Sequence, residues 1–142
     1  MTEEGDFEGG GLCGDIRYRS SRPQVRGVIC HCTECRKHTG SFLASVHFPI
    51  GAFTWLGPEP TRYRSSAGAE RGFCPRCGST LTFHEDQVTD RVMVTLGSLD
   101  EPERAHIDDH VWTREQVSCI DNKDGLPRFD VSSPSAPRQT GD

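Results

Sequence analysis

Two cysteine clusters, Cys30-His31-Cys32-Thr33-Glu34-Cys35 and Cys74-Pro75-Arg76-Cys77-Gly78, constrain this chain more than any other feature of its sequence. Segments that must bring several thiols to one point have few ways to fold. In the second cluster, two cysteines three positions apart put both thiolates on one side of a tight turn. Gly78 permits the backbone conformation in which amide N–H groups face the sulfurs. That is the turn of a zinc knuckle. A lone C-x-x-C is redox-active in some proteins, but no thioredoxin-like βαβ pattern surrounds this one. In the first cluster, a strand places Cys30 and Cys32 on one face, because side chains alternate with period two, and Cys35 folds back from the following turn. Three thiolates from six residues leave the fourth tetrahedral position of a zinc ion open, as in catalytic sites, or for a distant ligand, as in structural ones. Spacing alone leaves both open. His31 points away from that face and reads as a supporting or substrate-side group rather than a ligand.

The seven cysteines are an odd number, so complete internal pairing is impossible. No run of 18 apolar residues is present to make a transmembrane helix, and MTEEGDFEGG lacks the apolar stretch of a secretory signal. The expectation is therefore a cytoplasmic protein with no membrane partner, whose cysteine clusters are metal sites before they are disulfides. Cys13 lies too far from either cluster to be assigned by spacing. Cys119, alone in a Val-Ser-Cys-Ile run, is expected to be a buried small hydrophobe. Of the six histidines, only His31 and His110 carry functional weight.

Charge is divided along the chain. Residues 11–80 carry ten Arg or Lys against four acids, whereas residues 81–142 carry six against thirteen. The basic part coincides with the cysteine clusters and suits an anionic small substrate, or is the interspersed surface charge of strands. No arginine-rich block or aromatic-interleaved basic stripe supports nucleic-acid binding. Short segments rich in β-branched and aromatic residues predict strands within 15–20, 25–31, 42–48, 53–56, 61–65, 80–84 and 91–96. Only Thr33–Thr39 predicts a helical turn. The expected fold is mainly β, a single compact domain of short antiparallel strands around the cysteine-rich sites. It spans 9–129, after an acidic segment 1–8 and before a Ser/Pro-rich, disordered tail 130–142.

The order of motifs resembles the glutathione-dependent formaldehyde-activating enzyme family, which includes the centromere protein V relatives. The resemblance rests on Gly10–Tyr18, on CHCTECRKHTGS at 30–41, FTWLG at 53–57, RGFCPRCGSTL at 71–81 and TLGSLDEP at 95–102, and more weakly on His110 and GLPRF at 125–129. It implies a compact, mostly β fold shared with a small family of Rab exchange factors, and two zinc ions. The structural ion would be held by Cys13, Cys74 and Cys77, and the catalytic one by Cys30, Cys32 and Cys35. One departure matters: the first cysteine of the family's N-terminal C-x-C falls on Gly11, which offers no ligand.

The activity this implies is that of a carbon–sulfur lyase, forming or cleaving S-hydroxymethylglutathione from glutathione and formaldehyde. Such chemistry needs an electron-pair acceptor at the open zinc position, cations for the tripeptide's carboxylates, for which Arg36, Lys37, Arg64 and Arg71 are candidates, and a proton shuttle, for which His31 is nearest in sequence. The competing expectation is a non-enzymatic, zinc-stabilised module that binds a thiol small molecule or a protein. A weaker one is a thiol redox sensor using Cys30, Cys32 or Cys35.

Overall fold

The computed structural model of the chain describes residues 5–134. Each of the expected strand segments contains a strand: β2 (Arg17–Ser20), β3 (Arg26–Cys30), β4 (Leu43–Pro49), β5 (Phe53–Trp55), β6 (Thr61–Ser66), β8 (Thr80–Glu85) and β9 (Arg91–Thr95). Three more strands form where the sequence gives little β signal, namely β1 (Phe7–Gly10), β7 (Ala69–Phe73) and β10 (Asp109–Val111). The one α-helix among the described residues, α1 (Thr33–Thr39), follows β3 directly and ends at Gly40, whose φ of 98° is open to glycine at no steric cost.

These strands make two sheets. The smaller has the order β1-β2-β5 and the larger β10-β3-β4-β9-β8-β7-β6. Every pairing is antiparallel except that of β10 with β3. The sheets meet over one core, in which Phe7 and Tyr18 of the small sheet pack with Val46, Phe48 and Val94 of the large one, and with Leu99. Phe53 stacks on Tyr18 at 5.2 Å between ring centroids. Each of these side chains removes enough apolar surface from water to contribute about 1.5–3 kcal/mol. Gly9 is required here for close approach: a Cβ would lie 2.4 Å from both the Ser98 carbonyl oxygen and Tyr18 Oη.

The β10–β3 pairing carries a buried ion pair. Arg26 donates from Nη2 to Asp109 Oδ1 at 3.0 Å and from Nη1 to Oδ2 at 3.2 Å, with side-chain exposures of 7% and 5%. The segment after β10 then lies alongside it. His110 N donates to Pro127 O, Phe129 N to His110 O, and Trp112 N to Val131 O. Ser133 is buried. At the other end, β1 takes in Phe7 and Glu8 of the acidic segment. Residues 1–4 and 135–142, the outer parts of the acidic segment and of the Ser/Pro-rich tail, lie outside the described residues.

Candidate metal centre

The first cysteine cluster is assembled by a strand end and a helix start. Cys30 is the last residue of β3, paired with Leu43 on one side and Val111 on the other. Cys32 caps α1, its Sγ accepting from Cys35 N at 3.4 Å, and Cys35 is buried in the helix's first turn. The three sulfurs lie within 4.8 Å of one another. Tetrahedral thiolates on zinc, with Zn–S near 2.3 Å, stand about 3.8 Å apart, so the group can hold such an ion after small side-chain rotations. Among the described residues no fourth His, Cys or carboxylate atom lies within that distance of all three. The thiols share protons unequally. Bonds from the Cys30 and Cys35 sulfurs hold Cys32 well below the ordinary thiol range, and the same contacts together with burial push Cys30 far above it. For Cys35 the Cys30 bond pulls down, but the Cys32 sulfur and burial prevail, and it is pushed up to about 11. Three thiols this close together are a donor set that a soft divalent metal deprotonates and closes.

Arg71, in the middle of β7, reaches this cluster. Its Nη1 donates to Cys35 Sγ at 3.5 Å and its Nε to Ser65 Oγ at 3.2 Å, while the guanidinium lies 4.8 Å from the Phe83 ring centroid. At 2% exposure it is a buried cation whose countercharge is the thiolate group. The other basic candidates are placed differently. Arg36 and Lys37 lie on α1 and have no ion pair among the described residues, whereas Arg64 is held at the surface by Asp86 and Glu70.

The second cluster joins a loop before β2 to the turn after β7. Cys13 Sγ and Cys74 Sγ are 3.7 Å apart, and Cys77 completes a group within 4.8 Å. Gly78 turns the chain at φ 79°, and its N–H donates to Cys74 O at 2.8 Å. Ser79 is a member that spacing did not single out. Its hydroxyl accepts from Leu12 N at 2.8 Å and lies 3.1 Å from Cys77 Sγ. That contact, with backbone N–H groups of Ser79 and Cys13, holds the Cys77 thiol down at about 6. A Cβ built on Gly11 would face this cluster, 3.4 Å from Ser79 Oγ and 3.6 Å from Cys74 Cβ. The missing position of the C-x-C therefore points at the site it would have served.

His31 is turned into the protein. Its Nε2 is 2.9 Å from His110 Nδ1, and His110 Nε2 is 2.8 Å from Asp124 Oδ2. The two rings stack at 5.2 Å, and both side chains are buried. Burial, then the neighbouring His110 and Arg128, lower His31 to about 4. Asp124, in the loop after the last regular element, had no signal in the sequence beyond a turn at Asp124-Gly125. Cys119 is exposed, which corrects the expectation of a buried hydrophobe. It sits in the irregular 113–128 segment, where nothing packs over it.

A cleft of about 540 Å³ is lined by Gly11, Leu12, Thr39, Phe42, Ser79 and Ser98 among others, and by no cysteine of either cluster. Its walls are the C-terminal end of α1 and the start of β4 on one side, and the Cys13 loop and residues 97–100 on the other. Arg17 and Asp100 pair in its lining through two hydrogen bonds.

The chain is similar to known proteins. An uncharacterized lyase of Schizosaccharomyces pombe is 25% identical over 126 residues, covering 89% of this chain and 92% of the yeast protein. The crystal structure of a Rhodobacter sphaeroides protein superposes with a TM-score of 0.53 over 86% of this chain and 98% of the other. At 15% identity it speaks for the fold alone. Residues 6–115, which carry both cysteine clusters, Arg71 and His110, match the family profile described as glutathione-dependent formaldehyde-activating enzyme, and the chain belongs to that family.

Proposed function

We propose that this protein is a zinc-dependent carbon–sulfur lyase of the cytoplasm that forms or cleaves S-hydroxymethylglutathione. The observation that carries this reading is the convergence of Cys30, Cys32 and Cys35 with no fourth protein donor among the described residues. An open fourth position suits a catalytic zinc, whereas in the second group the open position is the one that Gly11 leaves unfilled. Zinc bound there would supply an electron-pair acceptor for a thiol or aldehyde oxygen. The cleft at the end of α1 holds the tripeptide, and Arg36 and Lys37, which lack ion-pair partners among the described residues, meet its carboxylates. Arg64 would join them only by giving up Asp86 and Glu70. Arg71 offsets the negative charge of the three thiolates from within the protein. In the forming direction the sulfur–carbon bond is made as the carbonyl π bond opens, and the thiol proton ends on the hydroxymethyl oxygen. His31, at the free nitrogen Nδ1, is our candidate to carry that proton. The Cys13, Cys74 and Cys77 group is a second, structural zinc site.

Metal analysis and turnover of glutathione with formaldehyde, on protein purified under reducing conditions, test this reading together. Cys32→Ser is expected to lose one equivalent of zinc and all turnover while keeping its melting transition. Zinc-loaded protein with no turnover, or a Cys32→Ser variant with unchanged zinc content, would overturn it.

A further inference from the structure

The proposed chemistry uses His31 but gives no role to what lies behind it. His31 stands between two cysteines of the triad, and a chain of two hydrogen bonds leads from it through His110 to Asp124. Asp124 belongs to the segment beyond the residues that match the family profile. That segment is nonetheless firmly placed, since Pro127 O and Phe129 N bond the backbone of His110 itself. His31 is also fixed on other sides, by His31 N donating to Val111 O and by the Phe42 ring at 5.8 Å.

The direction of the hydrogens along this chain follows from elementary donor counting. An ionised carboxylate only accepts. Burial raises the carboxyl of Asp124, but the His110 bond, the Leu126 N–H and the other nearby donors together hold it below its ordinary range. His110 Nε2 must therefore carry a hydrogen. A neutral imidazole has one N–H, so His110 Nδ1 is left as an acceptor and His31 Nε2 becomes the donor to it. The last ring in the chain then has its lone pair on Nδ1, which has no hydrogen-bond partner among the described residues.

We infer that Asp124 and His110 are positioning residues that lock neutral His31 in its Nε2–H tautomer and so leave Nδ1 as a bare acceptor. Without Asp124, water replaces the carboxylate and either donates or accepts, and both tautomers of the pair become accessible. The ring would then offer its lone pair only part of the time, and its tilt would no longer be held from behind. The tautomer rests on the hydrogen-bond geometry and on an ionised Asp124; its effect on turnover rests on the lyase reading.

The two parts are read separately. At pH 8, where unperturbed histidines are neutral, nitrogen-15 NMR of the zinc-loaded protein is expected to show His31 Nε2 in its protonated form and Nδ1 in its unprotonated form. Asp124→Ala is expected to move both His31 nitrogens toward intermediate shifts, and Asp124→Asn to do so with the shape of the side chain kept. In turnover, both variants should lose roughly ten- to hundredfold in kcat, the usual scale for partners that orient a group at a metal site, with KM for glutathione and zinc content unchanged. Protonated Nδ1 on His31 in the parent protein, or a single Nε2–H tautomer that survives in both variants, would overturn the inference. A parent protein with the expected tautomer but no turnover would refute only the lyase reading.

Discussion

Replacing Gly11 with cysteine tests whether the second cluster is a metal site, because only then does a fourth thiolate have a use. The geometry permits it. Gly11 is not one of the positive-φ glycines, and its added Cβ would meet Ser79 and Cys74 atoms at 3.4–3.6 Å, ordinary van der Waals contact. Closed four-ligand zinc sites bind with roughly 10–16 kcal/mol of apparent free energy, so one thiolate in four is worth about 3 kcal/mol. That is about a hundredfold in affinity. At saturating metal the same amount appears as folding stability by linkage, and in a domain of this size it raises Tm by roughly 10 °C. The Cβ–Cβ distance of 3.6 Å to Cys74 also falls within disulfide range, so the measurement must be made in reductant. Thermal unfolding with and without zinc, beside competition with a chromophoric chelator, separates the contributions. Gly11→Ala is the control, since it loses unfolded-chain entropy worth about 0.4–1 kcal/mol but adds no ligand. A Tm rise in Gly11→Cys that matches the alanine control, or that is the same with and without zinc, would refute the reasoning.

Three further outcomes follow from other parts of the molecule. Cys77→Ser should lower Tm sharply, because a metal held there would join residues 61 positions apart, a closure worth about 4 kcal/mol by analogy with a cross-link; an unchanged Tm would mean the site is not structural. Asp109→Ala should cost about 3–5 kcal/mol in urea unfolding by breaking a buried ion pair from one side, and Arg26→Met with Asp109→Leu should recover most of it. His47, lowered to about 3 by burial and then by Arg91 and Arg26, is neutral in the folded chain where the unfolded chain protonates. Its contribution is therefore intact above pH 6.5 and lost as pH falls from 6.5 toward 3. His47→Gln should flatten the acid limb of the stability curve, and a limb of unchanged slope would exclude His47 as its source.

What the sequence disclosed and what it hid divide along the distance over which each interaction acts. β3, β4 and β9 could be read because each carries β-branched or aromatic side chains that suit a pleated, buried surface, and α1 could be read because it is short and ends on Gly40. The Cys30/Cys32/Cys35 triad was equally local: six residues, a strand period and one turn assemble it without help from elsewhere. β7 was hidden because its residues, Ala-Glu-Arg-Gly-Phe, have no alternating pattern. They form a strand because β6 and β8 satisfy them on both sides, and because buried Arg71 has a thiolate cluster to face. β10 was hidden likewise: Asp109 and His110 read as surface residues until Arg26 and His31, some eighty positions earlier, are brought opposite them. Cys13 had no assignment from spacing, and only the family's pattern tied it to Cys74. The same division explains the site. Its candidate metal donors are encoded locally, whereas the partners that orient His31 depend on the parallel pairing of β10 with β3 and on the docking of the segment behind it. Loosening that edge, as Asp109→Ala would, should thus disturb the His31 ring before it disturbs the three sulfurs.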